Sequence, residues 1–347
     1  MRSRRIPLRN WRWAGLLATI SVAVLLAGCA PEPRREVRGG SAAARNAAPS
    51  PPVEIAVVPK SAPDEYREAL RAGTAKAQFD LARQGIKTVI LWKDGTGDRH
   101  VGSQGELLEA CIHQKVRGIV LAPDDRSSPV APLRDAARLR IPVVFVGSPL
   151  PDHDAAIRVL PNDTKAGEAA GKQIVNLLQG KGQVALLHPA HAITSAASAT
   201  ARESGFLTAV RTSPAIKAVS FDSVAGISKA LKTPSAAPLD GIYCENEADT
   251  RAVHQILKAA DLPHRIDLVG FGSAPDLIQH LRTHEISALV VPNGFNMGYL
   301  AVKTTMDAIQ GRPVAGAVDS GVILLTPDNL DAPENQQYLS PPAKQNP

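Results

Sequence analysis

The chain has 347 residues, of which 44% are hydrophobic and 21% charged, enough apolar side chain for the cores of two lobes. That composition excludes a mostly disordered chain, and the presence of only one continuous apolar run, near the N-terminus, excludes a polytopic membrane protein. The net charge of +6 is local: residues 1–52 carry nine Arg against Glu32 and Glu36, so the remaining body has no basic surplus and no nucleic-acid partner is expected.

In chain order, a basic stretch to Arg12 precedes an apolar run, Ala14–Ala27, the layout of a secretory signal. At 14 residues the run is short for a bilayer span. Leu26-Ala27-Gly28-Cys29 resembles the lipobox of bacterial lipoproteins. That implies a signal peptide over 1–28, lipid attachment at Cys29 and a protein anchored at a membrane of the cell envelope. Residues 29–52 hold Pro, Gly, Ala, Ser and Arg without an apolar period. Such a segment buries too little surface to offset its ordering entropy and is expected to be a flexible tether.

From Val53 on, short apolar runs alternate with longer amphipathic segments. The strand-like runs are Glu54–Val58, Lys87–Trp92, Gly118–Ala122, Pro142–Val146, Val184–His188, Ala218–Phe221, Gly241–Cys244, Asp267–Phe271, Ala288–Val291 and Gly321–Leu325. Leu70, Ala77 and Leu81 recur at helical spacing, as do Ala170, Ile174, Val175 and Leu178. Nearly continuous apolar strands joined by helical crossovers predict parallel sheets covered on both faces. The class is α/β, with two doubly wound sheets of about five to six strands. Ligands of such sheets bind beyond the carboxyl ends of the strands. The residues standing there are Lys60, Ser61, Lys93, Asp94, Asp124, Gly147, Ser148, His188, Asn246, Gly272, Pro292 and Asn293. Cys111 and Cys244 fall in a predicted helix and a predicted strand and read as buried apolar cysteines.

Eight stretches in order then carry a family resemblance: EIAVVPKSAPDEYREALRAG (54–73), RGIVLAPDD (117–125), IPVVFVGS (141–148), LPNDTKAGEAAGKQI (160–174), TARESGFLTAV (200–210), GIYCENEADTRAV (241–253), LVGFGSAPD (268–276) and NMGYLAVKTTMDAIQGRPV (296–314). Together they resemble the periplasmic sugar-binding proteins of the ribose-binding type, the solute receptors of ABC importers. The resemblance implies two lobes joined by a three-strand hinge, the periplasmic binding protein type I fold. One lobe would comprise 53–162 plus 292–317 and the other 163–291 plus 318–330, with 331–347 as a flexible tail. A small-molecule solute would sit between lobes that close around it.

Carried over residue by residue, the resemblance makes Arg202 the ligand arginine, just before Gly205-Phe206. Its planar fork suits hydroxyls or a carboxylate. Asn246 matches the asparagine after the Gly241–Cys244 strand, and Tyr66 one member of an aromatic pair whose partner position is Arg67. Ser148, Gly272 and Asn293 complete the expected ligand-binding set by position. The pattern departs at Gly147 and Ser148 (an Asp-Arg pair in the family), at Gly272 (an Asp) and at Pro292 (a Gln). Fewer polar groups, with Lys60, Arg67, Lys93 and Arg202 supplying positive charge, lead to the expectation of an anionic or larger polar ligand.

Enzyme motifs are thin. His188-x-x-His191 lacks a third ligand at a supporting spacing, and Gly270-x-Gly272 lacks the third glycine of a dinucleotide fingerprint. No Walker loop and no G-x-S-x-G elbow occurs. Ser195 and Ser198 near His191 read as a loop entering a helix, and Asp124-Asp125 as a solvated turn. The expectation is a non-enzymatic receptor with neither cofactor nor metal, whose partner is an ABC permease. The alternatives are a same-fold receptor serving a membrane sensor or chemoreceptor, and a degenerate member that binds no small molecule. A transcriptional regulator of this fold would need a DNA-binding head where residues 1–52 read as signal and tether.

Overall fold

Uninterrupted apolar runs become the central strands, because a parallel strand covered by helices on both faces must be apolar at every position. β1 (Val53–Val58) is buried from Ile55 onward, and β3 (Gly118–Leu121) and β8 (Gly241–Cys244) are buried throughout. The structure, a computed structural model, describes residues 51–60, 64–93, 103–123, 130–147, 157–188, 196–233 and 238–339. The expectations for residues 1–50, including the signal and Cys29, lie outside the described residues, as do Ser61, Asp94, Asp124, Asp125, Ser148, His191 and Ser195.

The first sheet is built by β1, β2 (Thr88–Trp92), β3, β4 (Val143–Val146), β5 (Ile157–Leu160) and β11 (Ala317–Asp319), in the order β11-β5-β4-β3-β1-β2. Its crossovers are α1 (Asp64–Arg83), α2 (Gln104–His113) and α3 (Val130–Arg138). The second sheet has the order β12-β10-β9-β8-β6-β7, from β6 (Lys181–Leu187), β7 (Ala215–Phe221), β8, β9 (Asp267–Phe271), β10 (Ala288–Pro292) and β12 (Val322–Leu325). Helices α4 (Asp163–Leu177), α5 (Ala196–Val210), α6 (Val224–Leu231), α7 (Glu247–Ala259) and α8 (Pro275–Arg282) surround it. α9 (Gly294–Ile309) returns to pack on α1, β3 and β4 of the first lobe. The fold is α/β with two lobes, each around its own six-stranded sheet.

Three features depart from the sequence reading. β5 and β11 have no counterpart among the predicted strands. They are only four and three residues long and carry Arg158 and Asp319; β5 pairs with β4 and β11 adds to β5 at the sheet edge. The second sheet is not wholly parallel: β12 runs antiparallel to β10, with Val291 opposite Ile323. Within the expected tail, residues 333–339 form a helix, α10 (Pro333–Leu339), which lies against α1 and α9.

In each lobe one helix pair meets backbone to backbone. A Cβ on Gly167 or Gly205 would strike the opposite backbone of α4 or α5, and Gly73 and Gly298 do the same for α1 and α9. Around these crossings pack fully buried Leu70, Leu81, Ile174 and Phe206, each contributing roughly 1.5–3 kcal/mol of burial.

The chain crosses between lobes after β5, after β10 and after β11, always from the carboxyl tip of a strand. The three crossings lie side by side. Ser320 N donates to the Leu160 carbonyl (2.9 Å) and Asn293 N to that of Gly321 (3.3 Å). Lys165 at the start of α4 reaches Asp319 at 2.9 Å. Both sets of strand tips therefore stand beside the hinge. The third crossing follows Asp319, two residues beyond the boundary expected from the resemblance.

Candidate functional site at the strand tips

In each sheet the strand order reverses direction at one place, between β1 and β3 and between β6 and β8. The crevice beyond the carboxyl ends at such a point is where doubly wound sheets bind ligands. On the first lobe, buried Gln104 ties that place together, its Nε2 donating to the carbonyls of Ala122 (2.7 Å) and Pro59 (3.2 Å). Tyr66, in the first turn of α1, directs its hydroxyl to Met297 Sδ at 3.6 Å, with the Lys60 ammonium 5.5 Å from its ring centre. Burial pushes the Tyr66 phenol up to about 12. Gly147, at φ +82°, keeps open the space in front of that hydroxyl: a Cβ there would lie 2.9 Å from it. Arg67 follows on α1, half-buried.

On the second lobe Arg202 is the organising side chain. It is buried in α5, with Nε on Asp163 Oδ1 and Nη1 on the Glu245 carbonyl, both at 2.7 Å. Its guanidinium stacks 3.9 Å above the Phe271 ring, a favourable cation–π arrangement. Asn246 is the N-cap of α7. Its Oδ1 accepts from Asp249 N at 2.9 Å, while Nδ2 donates to Asp249 Oδ2 at 2.6 Å. Both arms of its carboxamide are thus engaged within the protein. Asn293 caps α9 in the same way, accepting from Asn296 N at 2.8 Å.

Gly272, where the resemblance would place an acidic residue, has φ +115°, and a Cβ on it would come 2.5 Å from Glu247 Oε2. The Glu247 carboxylate occupies that space itself, accepting from Ser273 N at 3.3 Å and from Arg251 at 3.4 Å. An acidic group is present beside the tip of β9, supplied by the first residue of α7. Sequence reasoning missed it because contact between positions 247 and 272 arises only on folding.

It also missed Glu245, directly after β8. The residue is 1% exposed, and among the described residues neither carboxylate oxygen has a hydrogen-bond partner. Burial, reinforced by Glu203, pushes its carboxyl up to about 8 against the pull of Arg202. Tyr243, on the same face of β8 by strand alternation, stacks on Phe206 with ring centres 4.4 Å apart, and its buried hydroxyl is likewise unpartnered. The sequence signal was available: Glu245 is the first residue past a fully apolar run, as Asn246 is the second.

Two of the four expected cationic groups are engaged elsewhere. Lys93 turns to Gln114 (2.9 Å), and Arg202 is neutralised by Asp163. Around Glu245 the charges are mainly acidic: Asp163, Glu203 and Asp249, with Arg202 opposing them. That acidic surrounding does not favour an anion beside Glu245. His188, at the tip of β6, stands 3.7 Å from Glu203.

Away from the tips, Glu285 Oε2 meets His254 Nε2 at 2.7 Å, His280 Nδ1 at 3.1 Å and Lys258 Nζ at 3.4 Å. These donor atoms of the two histidines and Glu285 could hold a metal ion. The Lys258 ammonium already occupies the oxygen a cation would use, and the group acts as a hydrogen-bonded staple between α7 and α8. Cys111 and Cys244 are buried free thiols in separate lobes. Among the described residues, no helix is long and apolar enough to cross a membrane.

The model of the periplasmic binding protein domain matches residues 55–313, and the chain belongs to that family. Among solved structures it is similar to GanP, a glucose-galactose binding protein from Geobacillus stearothermophilus (21% identity, TM-score 0.61, covering 82% of this chain and 99% of that one). It is also similar to an ABC transporter solute-binding protein from Agrobacterium vitis bound with alpha-D-tagatopyranose (19%, 0.62, 82% and 98%). A chain of the XylFII–LytSN complex is similar at 21% identity and TM-score 0.66, covering 81% and 99%. At these identities the likeness is one of fold. Comparison with curated protein sequences finds no match.

Proposed function

We propose that the protein is an extracytoplasmic solute receptor, lipid-anchored through Cys29, that captures a small polar ligand between its lobes and delivers it to an ABC permease. The ligand class is a sugar or sugar derivative. Family membership over residues 55–313 supports the receptor role, and the sugar-bound Agrobacterium vitis protein of the same fold supports the ligand class. The observation that carries the reading is the placement of Arg202. A long cationic side chain is held rigidly by three partners beside the strand tips of the second sheet, as a recognition group needs to be. On this reading Tyr66, at the first-lobe tips, stacks its ring on the C–H face of a pyranose. Lipid anchoring rests on the sequence Leu26-Ala27-Gly28-Cys29. We take the role to be non-enzymatic, because the groups at the tips are arranged to hold and orient a solute.

Thermal melting of the purified protein against a panel of monosaccharides and their derivatives tests this. A cognate solute at 100 times its dissociation constant stabilises the folded state by about 2.7 kcal/mol. A flat response across the whole panel contradicts the reading.

A further inference from the structure

We propose that Glu245 selects the solute, and that the solute carries a protonated amine, as an amino sugar does; this rests on the solute-receptor reading above. Three observations lead here. First, Glu245 stands at the end of β8, at the place where the strand order of the second sheet reverses. Second, its two carboxylate oxygens are buried and unpartnered among the described residues, as is the hydroxyl of Tyr243 two residues before it, which feels the Glu245 charge. A buried acceptor without a donor costs about 1–3 kcal/mol, a cost that a donor brought by a ligand removes. Third, the charged groups around it are arranged for a cation. Asp163 on α4, Glu203 on α5 and Asp249 on α7 add negative charge, and among the described residues Arg202 opposes them. Arg202 is already committed to Asp163 and to the Glu245 carbonyl. His188, after β6, faces Glu203.

An ammonium group supplies up to three donors to these oxygens. It also brings the positive charge that the carboxylates lack. In the empty protein the Glu245 carboxyl, pushed up to about 8, holds its proton at neutral pH. Seating an ammonium on it favours the carboxylate, so the proton leaves to solvent as the ion pair forms. A neutral sugar hydrogen-bonds to the acid form and releases none.

The probes are D-glucosamine and D-galactosamine against D-glucose and D-galactose, titrated by calorimetry at about pH 6.5 in two buffers of different ionisation enthalpy. The expected result is an amine bound at least about tenfold tighter than its neutral counterpart, with release of about one proton per site. In Glu245→Gln, which keeps the shape, both the preference and the proton release disappear. An amine no tighter than the neutral sugar, or binding without proton release in the wild-type protein, overturns the proposal. So does a Glu245→Gln protein that keeps both effects, the outcome expected if Glu245 merely holds a buried water. Neutral sugars binding alone would overturn this inference and leave the receptor reading standing; no binding by any sugar in the wider melting panel would remove both.

Discussion

Arg202 shows how much of a site depends on the partners of one side chain. The sequence places it before Gly205-Phe206, and the resemblance makes it a ligand residue. Its companions Asp163, the Glu245 carbonyl and Phe271 come from three other segments, and only folding brings them together. Arg202→Ala leaves the half-buried Asp163 carboxylate without its cation. Breaking such a pair from one side costs about 3 kcal/mol, so the unliganded variant should unfold at lower urea concentration with little change in the slope. An unchanged midpoint would show that the arginine is held for the ligand alone. Gly272 teaches the complementary lesson. Against the family pattern it reads as a lost carboxylate, whereas the structure shows Glu247 filling the space that any side chain there would need. Glu245, hidden beside the more recognisable Asn246, was legible by position but not by its burial.

At the scale of elements, the central strands were readable because burial on both faces leaves an uninterrupted apolar run, as in the four-residue β3 and β8. β5 and β11 were not, since three or four residues with a charge among them specify little until a neighbour pairs with them. The α7–α8 staple is another product of packing. Burial holds His254 below its ordinary range despite the Glu285 hydrogen bond, while hydrogen bonds from His254 and Lys258 hold Glu285 low against the effect of burial. Both groups therefore bind protons more readily in the unfolded chain. Their contribution is complete above about pH 6.5, the unperturbed histidine value, and is lost as pH falls through the depressed folded values. Melting temperature should drop as pH falls below about 6.5, and His254→Gln should flatten that slope. An equally steep slope in the variant would place the pH sensitivity elsewhere.

For the molecule as a whole, two lobes could be expected from length and from the count of strands, but which strand joins which sheet could not. No local pattern marks a hinge, so the expectation of 292–317 in the first lobe and of three crossing strands came from the resemblance; in the structure α9 packs on the first lobe and the crossings lie side by side at Leu160, Asn293 and Ser320. Those crossings bring the tips of both sheets to one place, and the account stands on a solute being held there by both. Hydrogen–deuterium exchange with and without the sugar that most raises the melting temperature measures this directly. Protection should rise together at Gly147 and the start of α1 in the first lobe, at residues 245–247 and 272–273 in the second, and across 319–321. Protection confined to one lobe, or appearing only at the strand ends away from the hinge, would contradict it.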